Sequence, residues 1–249
     1  MAGIQVGMKN RNDTESIMKT ASRMLSTGWI LLWLLLPLML IAVYCSFVYA
    51  PTERVMGEVQ RLFYFHMGAA IAAFISFFLV FLSGCLYLWK KQLIWDRLSL
   101  SGVECGVLFT SIVLVTGPIW ARPVWNTWLP LGDPRVMTTL VLWLIFLAYL
   151  LLRASFVEGD KKYRVCAVYG IIGFLDVPVV FMSIRWWRSI HPKIISSEGI
   201  SLDERMKTAL VLALAACFVL LAVLVIFRTV FLLHKDEYMR LEDFSGGED

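Results

Sequence analysis

Only three histidines occur in the 249 residues, and two of them stand in surroundings that suit ligation. His66 sits in the run RLFYFHMGAA and His191 in the run SIRWWRSIHPK. A neutral imidazole is a ready metal ligand, and two of them can fill both axial positions of a haem iron. A third stretch, TGPIWARPVWNTWLPLGDPR from 116 to 135, carries Trp120, Trp125 and Trp128, interleaved with Arg122 and Arg135. Indole faces stack on a flat macrocycle and exclude water. Guanidinium forks pair bidentately with carboxylates such as haem propionates. Arg185, Arg188 and Lys193 surround His191 with positive charge, which favours the neutral, ligating imidazole. The chemistry requires that the fold carry all three stretches to one place.

The elements that must do so are membrane spans. Hydrophobic residues make up 59% of the chain and charged residues 17%, whereas a soluble domain carries about 25% charge. Mean hydropathy is +0.73. The apolar residues fall in blocks of about 20, the length that crosses a hydrocarbon core as a helix. Six spans are expected, at 29–50, 63–89, 101–118, 136–153, 164–182 and 208–233, which defines an all-α, polytopic six-helix bundle. The domain plan is a cytoplasmic N-terminal segment 1–28, a membrane domain 29–233 with an outer tryptophan-rich loop 117–135, and a cytoplasmic tail 234–249 that ends in Glu248 and Asp249. The first apolar block begins as late as Trp29, and Pro51 follows the cleavage-like Val48-Tyr49-Ala50. A retained first span is therefore expected rather than a cleaved signal.

An even number of spans places both termini on one side. Lys and Arg number four before the first span, three between the second and third, four between the fourth and fifth, and three from Arg228 onward. That majority of the 23 puts the termini in the cytoplasm. The opposite face then receives the segments 51–62, 119–135 and 183–207, and with them the tryptophan stretch and His191. His66 lies about one turn inside the same end of the second span. Prolines 118, 123, 130 and 134 are expected to prevent a long regular helix in the tryptophan stretch, leaving short helical pieces in the interface.

Other residues exclude other chemistry. The five cysteines form no CxxC and no CxxCH, so neither a thiol-redox site nor a covalent c-type haem is encoded; buried inert thiols are expected. The net charge of +4 reflects topology and gives no sign of nucleic-acid binding.

Bland readings stand beside the sharp one. The tryptophans suit an aromatic interface belt. His191 suits a solvated loop residue, and His66 a structural hydrogen bond between helices. A small-molecule transporter would place polar groups in broken helices at mid-membrane, and Asp176 with Pro178 is the one feature of that kind. Gly170 and Gly173 nearby suit close helix packing. A haem-containing electron-transfer subunit would place its histidines within facing spans, whereas His191 falls outside any span.

Three stretches together resemble the cytochrome c maturation protein C family (CcmC). They are YAPTERVMGEVQRLFYFH (49–66), LVTGPIWARPVWNTW (114–128) and DVPVVFMSIRWWRSIH (176–191). The resemblance implies a six-helix bundle with cytoplasmic termini in a bacterial inner membrane. It implies haem b handling in c-type cytochrome biogenesis, by presentation and transfer rather than independent catalysis. The implied axial ligands are His66 and His191, and the implied haem platform is Trp120, Trp125 and Trp128, with Arg122, Asp133, Arg135 and Arg188 around it. The implied partners are a periplasmic haem chaperone of the CcmE type, an ABC-type ATPase, a second membrane subunit and a small single-span adaptor. The larger cytochrome c synthetases share such a loop, but this chain is shorter and poorer in histidine. One departure is visible. Where the family runs WWxWD before a basic residue, this chain reads Trp128-Leu129-Pro130-Leu131-Gly132-Asp133-Pro134-Arg135, with leucines for two tryptophans and one extra residue.

Overall fold

The computed structural model describes residues 11–245 except 129, 190, 192–194, 197–198 and 201. Leu129, Lys193, Glu248 and Asp249 lie outside the described residues. Seven α-helices account for most of the chain: α1 Arg11–Tyr44, α2 Leu62–Lys90, α3 Leu93–Trp125, α4 Pro134–Ser155, α5 Asp160–Phe174, α6 Asp176–Trp186 and α7 Glu204–Ser245. Two two-residue strands, β1 Ile195–Ser196 and β2 Gly199–Ile200, pair antiparallel in the last connection.

Six stretches are long and apolar enough to cross a membrane, as the apolar blocks require: Glu15–Tyr49, Glu58–Lys90, Leu93–Trp120, Pro134–Ser155, Asp160–Trp186 and Glu204–Glu242. The fifth consists of α5 and α6, with a turn at Leu175 just before Asp176. α2 is the central helix, packed on α3, α5 and α7, while α1 lies along α7. The interior is close-packed. Phe77 of α2 stacks on Phe146 of α4 with centroids 4.0 Å apart. A Cβ at Gly106 of α3 would come 2.3 Å from the Phe77 ring, so only glycine admits that stack. Gly170 and Gly173 likewise sit against Val80 and Ile145. Large apolar side chains such as Trp33, Leu40 and Leu151 remain exposed on the outside of the bundle, where hydrocarbon is the solvent.

The spans run further than the apolar blocks. Helix α1, Arg11–Tyr44, and helix α7, Glu204–Ser245, each reach past the apolar blocks into polar sequence. Once a helix is nucleated, extension into polar sequence costs little. One expectation fails in the tryptophan stretch. Helix α3 continues through Pro118 and Pro123 to Trp125 and ends at Asn126 in the left-handed conformation, whose N–H bonds to the Arg122 carbonyl at 3.0 Å. Each proline removes one helix hydrogen bond, but a helix packed among neighbours tolerates that loss.

The end of the bundle away from His66 is tied by ions. Arg97 of α3 grips Asp236 of α7 through Nε (2.6 Å) and Nη2 (2.8 Å). Arg153 of α4 donates to Asp96 through Nη1 (2.9 Å) and Nη2 (2.5 Å). All three of Asp96, Arg97 and Arg153 are buried. The charge count takes Arg97 with the connection between the second and third spans and Arg153 with that between the fourth and fifth. The structure corrects this: α3 starts at Leu93 and α4 runs to Ser155, so both guanidiniums are inside the bundle end.

Candidate functional site

At the other end of the bundle, the start of α2 meets the end of α3. Arg61 anchors this corner: its Nη1 donates to the carbonyls of Ser46 (2.9 Å) and Ala50 (3.2 Å), and Glu58 pairs with its Nε. One turn into α2, His66 is buried, at 8% exposure. Its Nδ1 lies 2.9 Å from Thr116 Oγ1 on α3. The Thr116 hydroxyl donates to the Ile112 carbonyl at 2.7 Å. A hydroxyl has a single proton, so Thr116 must accept from His66 Nδ1–H, which leaves Nε2 with the lone pair. This is the arrangement of a ligating histidine oriented by an outer hydrogen bond.

Asp133 organises the second histidine. It caps α4, accepting from the backbone N–H of Arg135 (3.0 Å) and Val136 (3.4 Å), with Pro134 at the first helical position. Its other oxygen accepts from Ser189 Oγ at 2.7 Å. Ser189 Oγ in turn accepts the His191 backbone N–H at 3.0 Å. The His191 ring places Nδ1 3.4 Å from Asp133 Oδ1, within ion-pair range but without hydrogen-bond alignment. Burial, reinforced by the Arg135 charge and opposed by Asp133, pushes the His191 imidazole down to about 4. It is therefore neutral at physiological pH.

A continuous aromatic series joins the two rings. His66 packs edge-on to Trp120 at 5.7 Å, Trp120 meets Trp125 at 6.1 Å, and Trp125 meets His191 at 4.8 Å. Both histidines and both tryptophans line one cavity of about 450 Å³. Its walls come from α2 (Phe63, Met67, Phe74), α3 (Gly117, Pro118), α4 (Val136, Thr139), α6 (Phe181, Ile184) and α7 (Leu210, Leu214). The lining is mostly apolar. Arg135 and Arg185 also reach it. Arg185 lies over the Phe181 ring at 5.4 Å and contacts Met182 Sδ. Among the described residues neither guanidinium has a carboxylate within ion-pair distance.

Other expected site residues fall elsewhere. Trp128 is exposed and stacks with Arg122, whose Cζ is 5.2 Å from the indole; Arg122 also donates to Asn126 Oδ1. Neither lines the cavity, nor does the exposed Arg188. Asp133 supports the wall from behind. Pro130 lines the cavity, whereas Leu131 is exposed. Sequence reasoning passed over Thr116, Gly117 and Ser189. The first two lie in the motif beside Trp120, and a hydroxyl and a glycine carry no signal until their partners are known. Among the described residues Trp120 Nε1 is buried without a hydrogen-bond partner.

The fold and this cavity define a polytopic helical membrane protein with a two-histidine pocket at one end of its bundle. Residues 8–242 match the family Heme exporter protein C, and the chain belongs to that CcmC family. It is 31% identical over 190 residues to a ccmC-like mitochondrial protein of cytochrome c biosynthesis from Marchantia polymorpha, covering 76% of this chain and 80% of the relative. The Arabidopsis thaliana protein of the same description is 32% identical over 176 residues, covering 70% and 65%. Heme exporter protein C of Escherichia coli (strain K12) is 26% identical over 206 residues, covering 81% and 82%.

Proposed function

We propose that this protein handles haem b for c-type cytochrome biogenesis, holding it at this cavity and presenting it to a haem chaperone of the CcmE type on the outer face. The observation that carries the reading is that His66 and His191 line one apolar cavity that Arg135 and Arg185 also reach. Haem has the matching chemistry: an iron that takes two axial imidazoles, a flat apolar ring, and two propionates. Trp120 and Trp125 would lie against the macrocycle, and Arg135 and Arg185 would meet the propionates. Arg122, Trp128 and Arg188 do not line the cavity and take no part in this reading of haem contact. No general base stands at the site, so the chain's contribution is positioning, exclusion of water and ligation.

The remaining assignments follow the family. The termini face the cytoplasm of a bacterial inner membrane, supported by the bias of Lys and Arg. The partners are an ABC-type ATPase, a second membrane subunit and a small single-span adaptor. A transport reading draws on Asp176, whose Oδ2 is buried without a hydrogen bond among the described residues at the α5–α6 break. Asp176 does not line the cavity, which favours haem presentation over passage along that helix.

The test is the optical spectrum of the purified protein, oxidised and reduced, beside the His66→Ala/His191→Ala double variant. A low-spin haem spectrum that the double variant loses is the expected result. Wild-type protein that takes up no haem, even when produced with its partner subunits, would overturn the assignment.

A further inference from the structure

The two histidines are held by unequal means. His66 lies within α2, its ring fixed by a formed hydrogen bond to Thr116. It is wedged against Gly117, where even a Cβ would come 3.2 Å from its Cε1, and packed on Trp120. To move this ring, α2 and α3 must separate, and these are the most extensively packed pair of helices in the bundle. His191 lies beyond the end of α6 at Trp186, outside any helix. Among the described residues its ring Nδ1 makes no aligned hydrogen bond, and Asp133 Oδ1 stands 3.4 Å away. Among the described residues His191 is held by its backbone N–H on Ser189 Oγ, which hangs in turn on Asp133, and by ring contact with Trp125. Neither of those two bonds belongs to a helix, so both can break without disturbing one.

We propose that His66 is the permanent haem ligand and His191 the exchangeable one, with Ser189 and Asp133 as the latch that holds His191 on the iron until haem is handed over. This rests on the haem-handling reading of the cavity. In that arrangement the incoming haem acceptor approaches the iron face that His191 vacates, while His66 and the Trp120 wall retain the cargo from the α2–α3 side. Ser189 and Thr116 are positioning residues: neither ligates, and each acts through a histidine.

Carbon monoxide is the probe, because it binds ferrous haem only at a coordination position that has been vacated. Full-length protein is loaded with haem, reduced and mixed with CO. His191→Ala is expected to keep haem through gel filtration, as a five-coordinate species that binds CO at once. His66→Ala is expected to lose its haem in the same step. Ser189→Ala, which keeps both ligands, is expected to retain the low-spin spectrum but bind CO about fivefold faster, the factor given by the net worth of one hydrogen bond. His66→Gly with added imidazole separates a folding failure from a ligand loss, since a folded variant regains the low-spin spectrum. Equal haem retention in the two single-histidine variants, or retention by His66→Ala alone, would overturn the assignment. An unchanged CO rate in Ser189→Ala would remove the latch. Wild-type protein with no low-spin haem would instead overturn the reading on which this rests.

Discussion

Thr116 and His66 are 50 residues apart in the chain and 2.9 Å apart at the site, joined by a hydrogen bond whose direction is set by a third group. Because the Thr116 proton goes to Ile112, the imidazole must donate from Nδ1. Thr116→Val deletes the acceptor and leaves a buried N–H unpaired, which costs about 1–3 kcal/mol. Haem affinity should fall by about 10- to 100-fold, the usual effect of losing a ligand's outer partner. Thr116→Ser should restore most of it. Haem titration of the three proteins decides the point; equal affinities would show that Thr116 does not orient the ligand.

Gly117→Ala tests the same ring sterically. The new methyl would stand 3.2 Å from His66 Cε1 and 3.9 Å from Nδ1, and the ring has little room to give way because Thr116 holds it. In a helix interior the substitution should itself favour folding, by up to about 1 kcal/mol. The expected outcome is an undiminished melting temperature with weakened or high-spin haem, read from calorimetry and the optical spectrum together.

The cavity's guanidiniums predict selectivity for the propionate edge. Wild-type protein should prefer haem to its dimethyl ester. Arg135→Leu or Arg185→Leu should each weaken haem by about tenfold, within the range of one charge-assisted hydrogen bond, and leave ester binding little changed. Replacing Arg122 or Arg188, which do not line the cavity, should not alter the preference. Competition binding with the two porphyrins measures it.

At the far end, Asp96 and Arg153 form a buried two-pronged pair. Removing one partner strands a charge, so Asp96→Asn or Arg153→Met should destabilise the protein by about 3–5 kcal/mol. The haem spectrum of surviving folded protein should be unchanged, because the pair lies at the opposite end of α3 from Trp120. Unfolding in detergent, followed by helicity, gives the magnitude.

Glu158, between the fourth and fifth spans, gives a pH signature. Burial raises its carboxyl, but hydrogen bonds from Lys162 and Tyr163 and the Arg97 charge outweigh this and bring it down to about 2. A lowered carboxylate stabilises the fold fully above its ordinary value of 4.5 and loses that contribution as pH falls towards 2. Glu158→Gln should therefore lower stability at pH 7 and flatten its decline between about pH 4.5 and 2. Glu158 is 41% exposed, so solvent screening keeps the effect below about 1 kcal/mol. Parallel melting curves across that range test it.

Much of this protein is written along the chain. Apolar blocks of bilayer length determine six spans, and their parity determines that His66, His191 and the tryptophan stretch share one end. Asp133-Pro134 reads as a helix start and is one, since a carboxylate at the cap and a proline behind it are local chemistry. The tertiary structure decided the rest. It carried α3 through two prolines, which aimed Trp120 and Trp125 into the cavity and left Trp128 with Arg122 outside it. It buried Arg97 and Arg153, which the charge count places in loops. It gave the His66 ring a partner on another helix and hung the His191 backbone on Ser189 and Asp133. Hydropathy distinguishes lipid from water, because that contrast is a property of each residue. Which face of a helix meets which neighbour depends on how two helices cross, and that becomes defined only when all six spans pack together.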